Sequence, residues 1–299
     1  MARVMHSGEF FVAAGPVQAD RPCYIERDSD DALCQALRDQ RFCYILSPRA
    51  SGKSSLMART IRILRAEGQI AAVVDLAQIG ARGESEEPGR WYYNIAYRIV
   101  RELRLKVELQ TWWQEKSALT GDERLAEFFW EIVLTHTTVA VTIFFDEIEC
   151  AVDLPFAKDL FTAIHSCYSS RTTEPDFGRL NFVVLGVAFP QQLAPDRTVS
   201  PFDLGTSIEL EDFTLRETYG LAPGFPGTKD CAYALLNRIY GWAGGQPYLT
   251  QKIARGVVRR GAEIDDLDLV VRERFLAQGA RGEEPLLNHI RALLTRRAP

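Results

Sequence analysis

"FCYILSPRASGKSSL", residues 42 to 56, runs from an apolar stretch of strand length through a tight polar turn into a segment of helical spacing. The turn closes on Gly52-Lys53-Ser54. This is the end of the pattern G-x-x-x-x-G-K-[ST], in which backbone N–H groups at a helix N-terminus cradle phosphate oxygens. The first glycine of the pattern is absent, because Ser47 stands in its place. Gly52, where a side chain would obstruct a phosphate most directly, is kept, and Pro48 suits a rigid loop start. Ser47, Pro48, Arg49, Ala50, Ser51, Gly52, Lys53, Ser54 and Ser55 therefore form a candidate phosphate loop. In it Lys53 would reach the β- and γ-phosphates, and the Ser54 hydroxyl would ligate magnesium. A lysine and serines at an ordinary helix start explain so short a motif equally well on their own.

A second element lies roughly ninety residues downstream. "VTIFFDEIE" (141–149) places Asp146 and Glu147 directly after an apolar strand, at the end where ligands bind in open α/β sheets. An aspartate fixed by a buried strand can orient a magnesium shell, and the following glutamate can polarise water for attack on a γ-phosphate. Solvated acids before a helix are the plain alternative. The two elements together, each on a strand end, favour a nucleotide site with Lys53 and Glu147 as its catalytic residues and Ser54 and Asp146 as its metal ligands.

Outward from these motifs, strand-length apolar runs alternate with helical stretches, as in a parallel sheet covered by helices. Strands are expected at 42–48, 70–80, 139–149, 180–189 and 207–214, and helices at 31–40, at 54–68 ending on Gly68, and from Trp91 to about Leu109. A loop carrying Trp112 and Trp113 and then a helix with Phe128, Phe129 and Trp130 follow, all five read as core or interface anchors. His165, among apolar residues at helical spacing, reads as packing. After residue 214 the pattern is helical. The 299 residues carry 35 Lys plus Arg against 40 Asp plus Glu, a formal charge of -5, so no global basic field draws the chain to nucleic acid or anionic lipid. Six scattered cysteines without a C-x-x-C pair argue against zinc and against a disulfide framework. With no signal-like or membrane-length apolar run, a cytoplasmic protein without membrane contact is expected.

The sequence resembles the AAA-like P-loop ATPases of bacteria, close to the STAND signalling ATPases and the origin-recognition type of AAA+ module. The resemblance is carried in order by "GPVQADRPCYIERDSDDAL", "CYILSPRASGKSSLM", "IFFDEIE", "LPFAKDLFTAIHSCYSSR", "SPFDLGTSIELEDFT" and "WAGGQPYLTQK", and covers nearly the whole chain. It implies that Tyr24, Ile25 and Arg27, in an hhGRE-like "YIERDSD", lie near the base and ribose. It also implies that Gly245 and Pro247, in a GxP-like "GGQPYLT", lie over the adenine. From local chemistry alone, a surface Glu26–Arg27 pair and an ordinary helix–helix turn explain the same residues. One departure is the absence of a sensor arginine after the fourth strand, where Ala188, Phe189 and Thr206 stand. Arg171, Arg179 and Arg197 are the nearest candidates, each otherwise a solvated surface charge.

The expected architecture is an α/β parallel-sheet P-loop NTPase core with a C-terminal helical lid. Residues 1–35 form an N-terminal segment contributing to the nucleotide site, 36–214 the core, and 215–299 the lid, ended before a winged helix that "LLNHIRALLTRRAP" resembles the approach to. The expected function is Mg-ATP binding and slow hydrolysis as a conformational switch, with ATP or ADP and Mg2+ as cofactors. The resemblance further implies self-association on activation and fused or separate effector and sensor domains. Two alternatives stand. A DNA-associated initiator or transposition helper would need a basic surface, for which only "ARGVVRRG" and "RALLTRRAP" are available. A remodelling motor would need pore-loop aromatics, which the acidic "LAQIGARGESEEPG" lacks.

Overall fold

A computed structural model describes residues 10–80, 88–152, 154, 156, 158–187, 201–261, 263–277 and 286. Its five strands are β1 (Cys43–Leu46), β2 (Ile70–Asp75), β3 (Val141–Asp146), β4 (Leu180–Gly186) and β5 (Thr206–Ser207). They form one sheet in the order β2-β3-β4-β1-β5. Every pairing is parallel, with Cys43 opposite both Val183 and Thr206, and Asp75 opposite Asp146. α1 (Asp28–Arg38) precedes β1; parallel pairing requires crossovers, and these carry α2 (Lys53–Ala66), α3 (Pro88–Leu103), α4 (Leu109–Glu115), α5 (Gly121–Phe128) and α6 (Lys158–Ser169). All carboxyl ends consequently lie along one edge of the sheet.

Burial on both faces explains why β3 and β4 are continuously apolar and not alternating. Ile143, Phe145, Phe182 and Val184 pack into one core with Trp91, Ile95, Phe128 and Phe161. Phe144, Val183 and Leu185 face the opposite core, with Leu33, Leu37, Leu56 and Leu64 of α1 and α2. The sheet is thus the middle of three layers. Phe182 meets Phe129 edge-on at 5.1 Å and stacks on Phe145 at 6.3 Å, both favoured ring geometries. Trp113, Phe128 and Phe129 are core residues as expected.

Several elements are shorter than their apolar runs. The second strand stops at Asp75 because its Oδ1 accepts the Ala77 N–H at 3.0 Å, turning 77–80 into one helical turn. The third stops at Asp146, after which Ile148–Ala151 is a 3-10 turn. The run from Trp91 breaks after Leu103, where Arg104 takes φ +55° and Leu105 N–H bonds back to Val100 O. Trp112 and Trp113 lie on α4 and not on a loop, and α5 runs into a π-helical stretch, Phe129–Leu134. The 207–214 strand is reduced to Thr206–Ser207 plus one bond from Ile208 N–H to Tyr44 O; Phe213 N–H then donates to Gly245 O. Residues 188 and 189 of the fourth apolar run, and "ARGESEE" (81–87), Arg197, 278–285 and 287–299, lie outside the described residues.

The chain packs as two compact units. One is Asp28–Pro48 with Leu56–Leu210, which holds the sheet; the other is Met1–Arg27, Arg49–Ser55 and Glu211–Pro299. The expected boundaries at 35 and 214 sit beside a packing division at 27 and 210. Residues Arg49–Ser55 group with the helical unit. The described part of this second unit contains α7 (Lys229–Ala243), α8 (Pro247–Arg260) and α9 (Leu267–Val271), and no strand. Its core joins Phe10, Phe11 and Cys23 to Leu236, Ile239, Ala254, Val257 and Val270. Thr228 caps α7, and Pro247 occupies the first turn of α8, where its missing N–H costs nothing.

Candidate functional site

The carboxyl edge of the sheet carries the acidic residues. Asp146 ends β3, and its Oδ1 accepts the Glu147 N–H at 3.0 Å. Glu147 adopts φ 55°, ψ 45°, a left-handed conformation that costs a residue with a Cβ roughly 1–3 kcal/mol and that clusters at functional sites. Two residues on, Glu149 Oε2 accepts the Val187 N–H at 2.9 Å. A Cβ at Gly186 would lie 2.5 Å from both Glu149 Oε2 and Ile148 Cγ2, so the strand end admits only glycine without a shift. Sequence reading passed over Glu149 and Gly186, although a third acid in "DEIE" was the available signal. Ser47 extends the β1–β4 ladder, its N–H donating to Gly186 O at 3.1 Å.

The phosphate loop follows β1 in the chain. Its left-handed positions are Ala50 at φ +64° and Gly52 at φ +103°. Ser47 has no positive φ. The glycine missing at 47 is therefore not required by this backbone, whereas Gly52 is. From Gly52 the chain enters α2, whose first turn contains no acidic residue. That leaves the positive end of the helix dipole to an anion. Within the same unit Val17 N–H donates to Ser55 Oγ at 2.9 Å.

Arg27 lies beside this loop. Its Nη1 donates to Ser51 O and to Glu211 O, both at 3.0 Å, and its guanidinium lies 5.4 Å from the Phe213 ring centre. A Cβ on Gly52 would meet Arg27 Nη2 at 2.8 Å. The guanidinium thus faces the phosphate loop's backbone. Burial pushes the Asp212 carboxyl up, and the nearby Arg27 pulls it partly back. Ile25 packs on the core of this unit, while Tyr24 is half-buried with its N–H on Arg21 O. Gly245 has φ +85°, and a Cβ there would lie 2.0 Å from Phe213 O, so packing alone demands glycine. Pro247 is buried at the start of α8. Between them stands Gln246, unread in the sequence because glutamine is not a usual N-cap. Its side chain accepts the Leu249 N–H at 2.7 Å and donates to Ala50 O at 2.9 Å.

Two of the candidate arginines, both half-buried, make structural hydrogen bonds. Arg171 lies 3.8 Å from the Tyr168 ring centre and donates to Phe177 O, Leu180 O and Asn181 Oδ1, and burial lowers its pKa. Arg179 donates to Thr137 O at 2.7 Å and Leu134 O at 3.1 Å. Each ties loops to the sheet unit, and extracting either would strand buried carbonyls.

These residues fit a nucleotide by their chemistry. A lysine, hydroxyls and an acid-free helix start suit an anion. Among the described residues no three His, Cys, Asp or Glu converge as a metal cage; magnesium bound through one or two carboxylates plus substrate phosphates needs none. A parallel sheet with a Gly-Lys-Ser loop after its first strand and an Asp-Glu pair ending its third is an α/β P-loop NTPase fold. The profile of the AAA-like domain matches residues 12–295, and the chain belongs to that family. An uncharacterized WD repeat-containing protein of Synechocystis sp. is 33% identical over 298 residues, a match covering 95% of this chain and 24% of the relative. The chain thus spans about a quarter of that curated relative's length. Among solved structures, the Walker-type ATPase of Pyrococcus abyssi superposes with a TM-score of 0.64 at 14% identity, covering 96% of this chain and 80% of that one. The Aeropyrum pernix ORC2 protein, solved as ADPNP-ADP complexes, gives 0.58 at 14% identity, with 88% and 71% covered. The ORC1 protein of the same organism, in complex with DNA, gives 0.51 at 16%, with 84% and 65% covered.

Proposed function

We propose that this chain binds Mg-ATP, hydrolyses it slowly, and acts as a nucleotide-dependent conformational switch of the STAND type. The observation carrying this reading is that side chains of the N-terminal segment and the helical unit grip the phosphate loop, Arg27 on Ser51 O and Gln246 on Ala50 O. A loop gripped by the lid transmits its occupancy to the lid. Lys53 and the amides around Gly52 hold the β- and γ-phosphates, and Ser54 and Asp146 hold the cation. Bound magnesium supplies charge neutralisation at the transferred phosphoryl group. Glu147, fixed by its left-handed backbone, orients and deprotonates the attacking water. Without an assigned arginine finger, turnover of about 10⁻² s⁻¹ or slower is expected.

The cytoplasm is the proposed compartment; among the described residues no helix is long and apolar enough to cross a membrane. A fused effector or sensor domain is part of the same proposal, in keeping with the WD repeats in the relative's name, and so is self-association on activation. The test is the nucleotide content and ATP turnover of the purified protein beside Lys53→Ala and Glu147→Gln. Co-purified ADP and slow turnover are expected for the wild type. Lys53→Ala should lose binding, and Glu147→Gln should keep binding while turnover falls about 10²-fold or more. Full hydrolysis by Glu147→Gln would remove that residue from its role.

A further inference from the structure

Two consecutive carbonyls of the phosphate loop, Ala50 O and Ser51 O, accept hydrogen bonds from side chains far away in sequence. Gln246 supplies one donor and Arg27 the other. Between and beside these carbonyls the backbone holds left-handed φ at Ala50 and Gly52. An alanine does not rest there by preference, so partners outside the loop must keep it in place.

Gln246 is built to report on the lid. It is the N-cap residue of α8, and its two amide ends do different work: Oε1 accepts the Leu249 N–H, and Nε2 donates to Ala50 O. The partners fix this orientation, since an N–H needs an acceptor and a carbonyl needs a donor. Its neighbours fix its place, Gly245 by close contact with Phe213 O and Pro247 by starting the helix. Arg27 is held in the same way by Glu211 O and the Phe213 ring.

We propose that Gln246, seconded by Arg27, is a positioning residue that latches the phosphate loop in its nucleotide-binding form, so that one side chain sets both the start of lid helix α8 and the conformation of the loop. The inference rests on the nucleotide reading above and adds the device through which the lid regulates the site. Moving the start of α8 withdraws the donor from Ala50 O and lets the loop relax. By linkage, a nucleotide that orders the loop strengthens the seat of α8 by the same factor.

Gln246→Glu separates the two roles of this side chain. A carboxylate still accepts the Leu249 N–H, and its charge suits a helix N-terminus, but it offers Ala50 O no donor. In the full chain we expect a thermal midpoint within about 2 °C of wild type. Without nucleotide, hydrogen exchange of the 49–55 amides should be roughly fivefold faster, and affinity for a fluorescent ADP analogue about fivefold to tenfold weaker, as for one lost hydrogen bond. Arg27→Met removes the second donor and should give the same pattern if Gln246→Glu does not fold. Unchanged loop exchange in a folded variant overturns the latch, and faster exchange with unchanged affinity overturns its link to the nucleotide. Failure of the wild type to bind the analogue defeats the nucleotide reading instead, and loop exchange still decides the latch.

Discussion

Four of the six cysteines, Cys23, Cys34, Cys43 and Cys167, are buried, while Cys150 and Cys231 are exposed. Burial pushes the Cys43 and Cys167 thiols up to about 12 from an ordinary 9.0. At pH 8 their thiolate fraction is about one part in 10⁴, so alkylation with iodoacetamide should label Cys150 and Cys231 first and leave the buried four until the chain unfolds. Because the folded value is raised, the fold favours the neutral thiol; stability is retained below pH 9 and lost as pH climbs from 9 toward 12. Prompt labelling of Cys43 would contradict the sheet's placement. Cys150 is exposed because it sits just past the end of β3, where the chain turns outward. Gln246 was illegible in the sequence because its work depends on a carbonyl 196 residues away.

The end of β4 shows how one element constrains another. Gly186→Ala would drive a Cβ against Glu149, Ile148 Cγ2 and, at 3.1 Å, the Ile148 N. Overpacking of this kind costs about 1–3 kcal/mol, and thermal unfolding should fall by roughly 2–4 °C per kcal/mol. An unchanged midpoint would mean that the 148–151 turn yields freely. The strand cores, the helix at Gly52-Lys53-Ser54 and the acidic end of β3 were legible because burial on both faces and a fixed motif each leave a local pattern. Element ends were not, since side chains such as Asp75 stop a strand inside an apolar run, and Phe213 gives its N–H to Gly245 O from the far end of the unit.

For the whole molecule, charge decides between partners. The formal charge is -5, and two arginines of the helical unit are already committed, Arg238 to Asp268 and Arg260 to Glu273. Random duplex DNA at 150 mM salt should therefore bind more weakly than about 10⁻⁴ M. Tighter binding with a steep salt slope would favour the DNA-associated reading.

The strand order sets a timetable for synthesis as well. β1 sits inside the sheet, yet its neighbours β4 and β5 emerge about 140 residues or more after it. At roughly 5–20 residues per second, the nascent chain carries a central strand with both edges unpaired for on the order of ten seconds. β2 and β3 can pair sooner, so the ribosome first releases a half-sheet. Holdase chaperones should meet this protein at that stage, and ribosome profiling of chaperone-bound chains would place their engagement between the exit of β1 and that of β4.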